Sequence, residues 1–292
     1  MRIKSFVLIL LICAINAQGA TVYNWTGSAG DNSWGTASNW TPAEVPQDGA
    51  HLKSDCQQVN IAGSSSVVNG PGALALDDNN NNNPIVTVSD SATWNVGNAI
   101  WIADDPGSNG TLKILSGATV NIGSLLDVGN GPGSGHTADV IVDNGYLNVT
   151  GNWGDLRVGV YSGTSTLTVS GNSKITMIDS LVLVVGSATG TLTLNDGMIV
   201  VGTDPSSSSN NDGGKLYINS GGKLYYNGGK LLVSGNTEAE LQSFIDDGKI
   251  VPSISYSITT MQYEGKSYTA LVPEPNVIGL LSLSLGFVFR RK

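Results

Sequence analysis

Residues 111–129 read TLKILSGATVNIGSLLDVG, and the order of apolar and polar residues in them decides the fold. Three short alternating pieces follow one another: Leu112-Lys113-Ile114, Val120-Asn121-Ile122 and Leu126-Asp127-Val128, with Gly117 closing the first and Gly129 the third. Side chains of an extended chain point alternately to opposite faces, so each piece presents its aliphatic residues to one side. The first piece recurs as Val86-Thr87-Val88, Val140-Ile141-Val142, Leu167-Thr168-Val169, Leu192-Thr193-Leu194 and Leu216-Tyr217-Ile218. The closing residues Asp90, Gly117, Gly145, Gly171, Gly197 and Gly221 are spaced by 27, 28, 26, 26 and 24. A second piece recurs as Leu147-Asn148-Val149, Ile175-Thr176-Met177 and Leu224-Tyr225-Tyr226. The third recurs as Ile100-Trp101-Ile102-Ala103, Leu156-Arg157-Val158-Gly159 and Leu183-Val184-Val185-Gly186.

Self-similarity at a fixed period marks a stacked repeat, because a unit of this size buries its apolar side only against its neighbours. Three strands and three turns per unit describe one coil. The expected fold is all-β: a right-handed parallel β-helix (β-solenoid) of about six or more three-strand coils. At about 4.8 Å per coil, the stack is a rod on the order of 30 Å long. An antiparallel sandwich also has short strands at regular intervals, but it gives no reason for a three-strand unit to repeat. Beside Gly197 the second and third strands are expected to fuse over 198–202, with a polar loop over 203–213.

The regions around the repeats divide the chain into 1–20, 21–83 (Trp-rich cap and first coils), 84–235 (repeats), 236–271 (C-terminal cap) and 272–292. In the second region Trp25, Trp34 and Trp40 lie close together. Two readings compete for them. One is a cover for the open first coil, whose strand edges would otherwise recruit other chains; the other is a platform on which sugar rings stack. Asp77-Asp78 and the asparagines of 79–83 form a polar loop without the spacing of a calcium site. After the repeats, 237–247 is the one helix expected, with Thr237 as its cap and Leu241, Phe244 and Ile245 as its apolar stripe. Residues 254–272 alternate as strands around Glu264-Gly265-Lys266.

Both ends read as addresses. Arg2 and Lys4, the apolar run 6–12 and the small residues Ala17, Gly19 and Ala20 have the layout of a secretory signal peptide, with cleavage after Ala17 or Gly19. At the other end stand Val272-Pro273-Glu274-Pro275, an apolar run over 277–289 and Arg290-Arg291-Lys292. That run can enter a bilayer and its basic end would stay on the cytoplasmic side, although it is short for a full span. The three parts together resemble the PEP-CTERM sorting signal of exported bacterial proteins, with Pro273, Glu274 and Pro275 on its motif and Arg290 and Arg291 on its basic end. The resemblance implies recognition by a membrane exosortase, transient anchoring by the tail, and release or transfer to the cell surface or an exopolysaccharide matrix. The tryptophan-rich opening resembles that of exported bacterial β-helical proteins with autotransporter-like strand repeats.

Charge and chemistry narrow the functional classes. The formal net charge is −9. Without the two terminal segments, nine basic residues face 22 acidic ones, which makes about −13. Nucleic acid is therefore not an expected partner, since a polyanion needs a basic stripe to displace its counterions. Cys13 falls in the leader and Cys56 stands alone after it, so no internal disulfide is expected. Asn24, Asn39 and Asn148 fit the glycosylation acceptor pattern and, given the resemblance of the tail to a bacterial sorting signal, read as turn or strand residues. Lys113, Arg157, Lys174 and Lys215 are isolated, and neither His51 nor His136 has a companion motif for nucleophilic catalysis. Asp127 and Asp155, expected to stack in adjacent coils, are the best candidates for a cation site or a hydrolytic pair. The expected function is a surface or matrix structural or adhesive protein without catalysis and without cofactors. The alternative is a polysaccharide-binding protein, or a carbohydrate-active lyase or hydrolase, on the same rod.

Overall fold

Leu112, Lys113 and Ile114 pair in parallel register with Val86, Thr87 and Val88 on one side and Val140, Ile141 and Val142 on the other. This is the arrangement that the repeat demands. The computed structural model describes residues 24–46, 51–53, 59–63, 67–69, 73–77, 83–131, 135–151, 154–204 and 214–275. The signal-peptide region, Cys56, Arg290 and Arg291 lie outside these.

Three sheets form the sides of a parallel β-solenoid of about six coils. The first side carries Val59–Ala62, Ile85–Ser89, Asn109–Leu115, Thr137–Asp143, Thr164–Ser170, Thr189–Leu194, Gly222–Tyr226 and Ile250–Pro252. The second carries Val67–Asn69, Thr93–Val96, Thr119–Ile122, Tyr146–Val149, Lys174–Met177, Met198–Val201 and Lys230–Val233. The third carries His51–Lys53, Ala73–Asp77, Ala99–Ile102, Leu125–Val128, Leu156–Val158, Leu181–Leu183 and Leu216–Ile218.

One column of the core runs Val59, Val86, Leu112, Val140, Leu167, Leu192, Leu224 and Ile250, all buried and in register along the first side. Full burial of such a side chain contributes about 1.5–3 kcal/mol, and each coil supplies several. Outward positions form polar ladders of their own. On the second side Asn121 Nδ2 donates to Asn95 Oδ1 (2.7 Å), Asn148 Nδ2 to Asn121 Oδ1 (2.8 Å) and Thr176 Oγ1 to Asn148 Oδ1 (2.7 Å).

Three expectations about the later coils are corrected. The third-side strand beside Leu156–Val158 is Leu181–Leu183 and not Leu183-Val184-Val185. Leu216–Ile218 pairs with Leu181–Leu183 on the third side and is not a sixth first-side strand. That place belongs to Gly222–Tyr226, where the sequence pattern predicts a second-side strand. Likewise Met198–Val201 is a second-side strand alone, and its coil takes its third strand only at Leu216–Ile218. The cause is that all three sides use the same apolar-polar-apolar triplet. A coil with more residues than its neighbours, such as the one that sets Leu216 opposite Leu181, then shifts the count without leaving a mark in the pattern.

Both ends of the stack are covered. At the N-terminal end Asn24–Trp25 pairs antiparallel with Trp40–Thr41, Trp34 N–H donates to Asn60 O (3.1 Å) and Asn60 N–H to Asn32 O (2.7 Å). These bonds satisfy part of the edge of Val59–Ala62. At the C-terminal end helix α1, Glu238–Asp246, follows Lys230–Val233 and packs its buried Leu241 onto the last coil. Thr237 and Glu240 close a reciprocal capping box at its start. A hairpin of Tyr256–Tyr263 and Lys266–Pro273 then extends the second side antiparallel. Glu264 and Gly265, with φ of 49° and 77°, make its two-residue turn. Tyr268 and Ala270 bury Val200 and Leu232 in a second small core.

The coils approach most closely at the corner after the second side. A Cβ on Gly123 would overlap the carbonyl oxygen of Gly97 one coil below. Gly123 N–H also donates to Val96 O at 2.8 Å, so the backbone cannot retreat without losing that bond. Gly123→Ala is expected to cost about 2–3 kcal/mol, an overpacking penalty, read as a lower urea midpoint. An unchanged midpoint would show that the corner has slack.

Candidate functional site

The outward column of the third side holds the most chemically distinct residues. Trp101, Asp127, Arg157, Val182 and Tyr217 stand in consecutive register there. Their neighbours in each strand, such as Leu126 and Val128, turn inward and are buried. At the corner beyond this side Tyr161 and Val185 are exposed in adjacent coils, with Val185 N–H donating to Gly159 O (2.9 Å).

Asp127 does not stack on Asp155. The register sets Arg157 opposite Asp127, and the guanidinium grips the carboxylate with two bonds of 2.6 Å, from Nε to Oδ1 and from one terminal nitrogen to Oδ2. Asp155 precedes that strand, and its Oδ1 accepts the N–H of Ser180 at 3.0 Å. The expected carboxylate pair is thus an ion pair, and Asp127 offers no free oxygen edge to a cation. Asp127 is 1% exposed, whereas Arg157 keeps 28% of its side chain in solvent. Burial pushes the Asp127 carboxyl above its ordinary value, with Arg157 opposing and Asp104 adding to the shift. Desolvation of Arg157 is outweighed by Asp127, which holds the guanidinium firmly protonated. Asp104, for its part, accepts a hydrogen bond from Asn130 in the next coil.

Trp34 and Trp40 are interior residues. Trp34 and Trp40 are 0% and 2% exposed, their rings 4.7 Å apart edge to face, and Trp34 also meets Trp94 at 5.3 Å. Trp40 Nε1 donates to Trp34 O at 2.9 Å. Their faces are closed to a sugar, so the stacking platform is withdrawn for both in favour of the cap. Trp25 pairs by its backbone with Trp40. Asn39, one of the acceptor-pattern residues, is buried and donates to Asp31 Oδ1 (2.6 Å) within the same cap.

The expected sorting motif begins inside the fold. Pro273 ends the last strand opposite Tyr256, and Glu274 N–H donates to Ser255 O at 3.1 Å. Glu274 and Pro275 are exposed. Pro273 also lines an open groove of about 520 Å³ with Tyr146, Lys174, Met198 and Lys230. Lys174 there lies 3.5 Å from Glu264 and 5.0 Å from the Tyr263 ring centre, and so ties down the hairpin tip. Among the described residues no helix is long and apolar enough to cross a membrane, and the 277–289 run lies outside them.

Pairing across coils was the signal that sequence reasoning passed over. Aligning Leu126-Asp127-Val128 with Leu156-Arg157-Val158 already places opposite charges one above the other. The architecture defines a class, a three-sided parallel β-solenoid. Against protein-family models, curated proteins and solved structures the chain has no match.

Proposed function

We propose that the protein is an exported structural or adhesive rod of the cell surface or extracellular matrix, sorted through its C-terminal tail and without catalysis. The observation that carries this reading is the direct continuity between the capped stack and the Pro273-Glu274-Pro275 tripeptide, whose last two residues stand in solvent at the end of the final strand. A membrane processing enzyme of the exosortase type would meet the motif there, and polysaccharide or other matrix components would meet the polar sides. The net charge of −9 argues against nucleic acid. Pairing of Asp127 with Arg157 removes the acidic row on which a hydrolytic reading rested.

Binding rather than cleavage of a polysaccharide is the second reading, and the outward Trp101 and Tyr217 with the exposed Tyr161 favour it. Glycan-array binding without release of reducing ends would support it. Sorting is tested in the native host. Changing Pro273, Glu274 and Pro275 together to alanine is expected to leave an unprocessed, membrane-retained form on immunoblots of cell fractions. Release equal to that of the unaltered protein would remove the sorting proposal.

A further inference from the structure

The three sides end differently at the C-terminal end of the rod. On the first side the last strand, Ile250–Pro252, is three residues long and ends on a proline, which has no N–H to offer. On the third side Asn236 closes the edge of Leu216–Ile218: its Oδ1 accepts Leu216 N–H at 2.7 Å and its Nδ2 donates to Leu216 O at 3.4 Å. The second side ends on Tyr256–Tyr263, the outermost strand of its sheet and eight residues long. Its sequence, YSITTMQY, contains neither a charged residue nor a proline. Those are the residues that guard an exposed edge against pairing.

Register decides which groups of this strand stay open. Tyr263 faces Lys266 across the two-residue turn, and at the other end Ser255 O accepts Glu274 N–H at 3.1 Å. The odd-numbered residues from Ser255 to Tyr263 therefore turn their main-chain groups toward the strand Lys266–Pro273. Tyr256, Ile258, Thr260 and Gln262 turn theirs the other way, where no further strand stands among the described residues. Thr260 and Gln262 are exposed.

The strand is complementary to itself. Antiparallel pairing of two copies about a two-fold axis at Thr259 sets Ile258 opposite Thr260 of the second copy and Tyr256 opposite its Gln262. Every open residue then meets an open residue, which makes about eight main-chain hydrogen bonds, two for each bonded pair. A register displaced by one residue would set open groups against groups already used within the hairpin. The same pairing puts Glu264 beside Ile254 of the second copy, so no carboxylate meets its own image. Ile254, 37% exposed, gains cover there. Two chains that each carry a net charge of −9 repel over most of their surface, and an uncharged strand is where they can approach.

We propose that Tyr256–Tyr263 is the interface of a tail-to-tail homodimer, in which the second sides of two copies join into one sheet. The two-fold axis closes the contact at two copies. This inference is independent of the sorting and adhesion readings.

Sedimentation velocity over a concentration series is expected to show a monomer–dimer equilibrium of the purified protein. Thr260→Pro removes one open donor from each copy and none of the hairpin's own bonds, and should raise the dissociation constant at least about tenfold. Cross-linking locates the axis. On a Cys13→Ser, Cys56→Ser background, Thr259→Cys places two thiols face to face in a non-bonded pair and should give a disulfide dimer on mild oxidation. Ser257→Cys, which faces Met261 of the second copy, should not. A protein that stays monomeric at its highest soluble concentration overturns the proposal. So does a dimer that Thr260→Pro leaves unchanged, or one that Ser257→Cys cross-links as readily as Thr259→Cys. Should the proline disturb the fold, the two cysteine variants decide by themselves.

Discussion

Replacing Arg157 by methionine is expected to destabilise the protein by about 3 kcal/mol, the cost of leaving a buried carboxylate without its counter-charge. Asp127 is 1% exposed and both its oxygens point at the guanidinium, so no other protein group replaces the lost bonds. The figure is set at the lower end of the usual range because Arg157 retains 28% exposure, and solvent reaches the vacated side. The double variant Asp127→Leu, Arg157→Met should recover most of the loss, since an apolar pair of similar volume needs no desolvation of charge. Urea unfolding of the two singles and the double closes the cycle.

The pH dependence has a definite sign. Burial already raises the Asp127 carboxyl, and without Arg157 it rises further above its unfolded value. The stability of the single variant is then fully present at pH below the unfolded carboxylate value and is lost as pH rises through the folded one. The deficit relative to the unaltered protein should accordingly shrink toward acidic pH. A single variant no less stable than the double at pH 7 would mean that Asp127 carries no buried charge there.

Trp34→Ala should cost about 3–5 kcal/mol, as expected for deleting a fully buried large aromatic side chain. Trp34 touches both Trp40 and Trp94, and Trp94 belongs to the second side of a coil in the stack. The cavity would thus open at the joint between cap and rod, the place where edge strands are covered. Loss of the cover should also appear as concentration-dependent oligomers in light scattering, because uncovered strands pair with other chains. Trp34→Phe fills part of the volume and should recover part of the stability. If Trp34→Ala instead abolished binding to a glycan at unchanged stability, the ring would have to be on the surface and the cap assignment would fail.

Much of this architecture is legible in the sequence. Leu112, Leu167 and Leu192 recur at nearly constant intervals with turn residues after them, and such spacing has few solutions other than stacked coils. Thr237 and Glu240, three apart before an apolar stripe, marked the helix for the same local reason: a cap needs only neighbours in the chain. The Glu264-Gly265 turn is another local feature, because two consecutive residues must accept positive φ. Strand identity in the later coils was less legible. Leu216-Tyr217-Ile218 satisfies the triplet of any side, and only its bonds to Leu181–Leu183 assign it to the third.

The sequence by itself determined that consecutive segments bury one another's aliphatic side chains, because alternation and period are properties of the chain read in order. Only the tertiary structure decided which outward residues meet. Asp127 found Arg157 instead of Asp155, and Trp34 and Trp40 turned inward. Those outcomes depend on register between coils whose paired residues lie 24 to 35 positions apart, where a shift of one residue exchanges every neighbour.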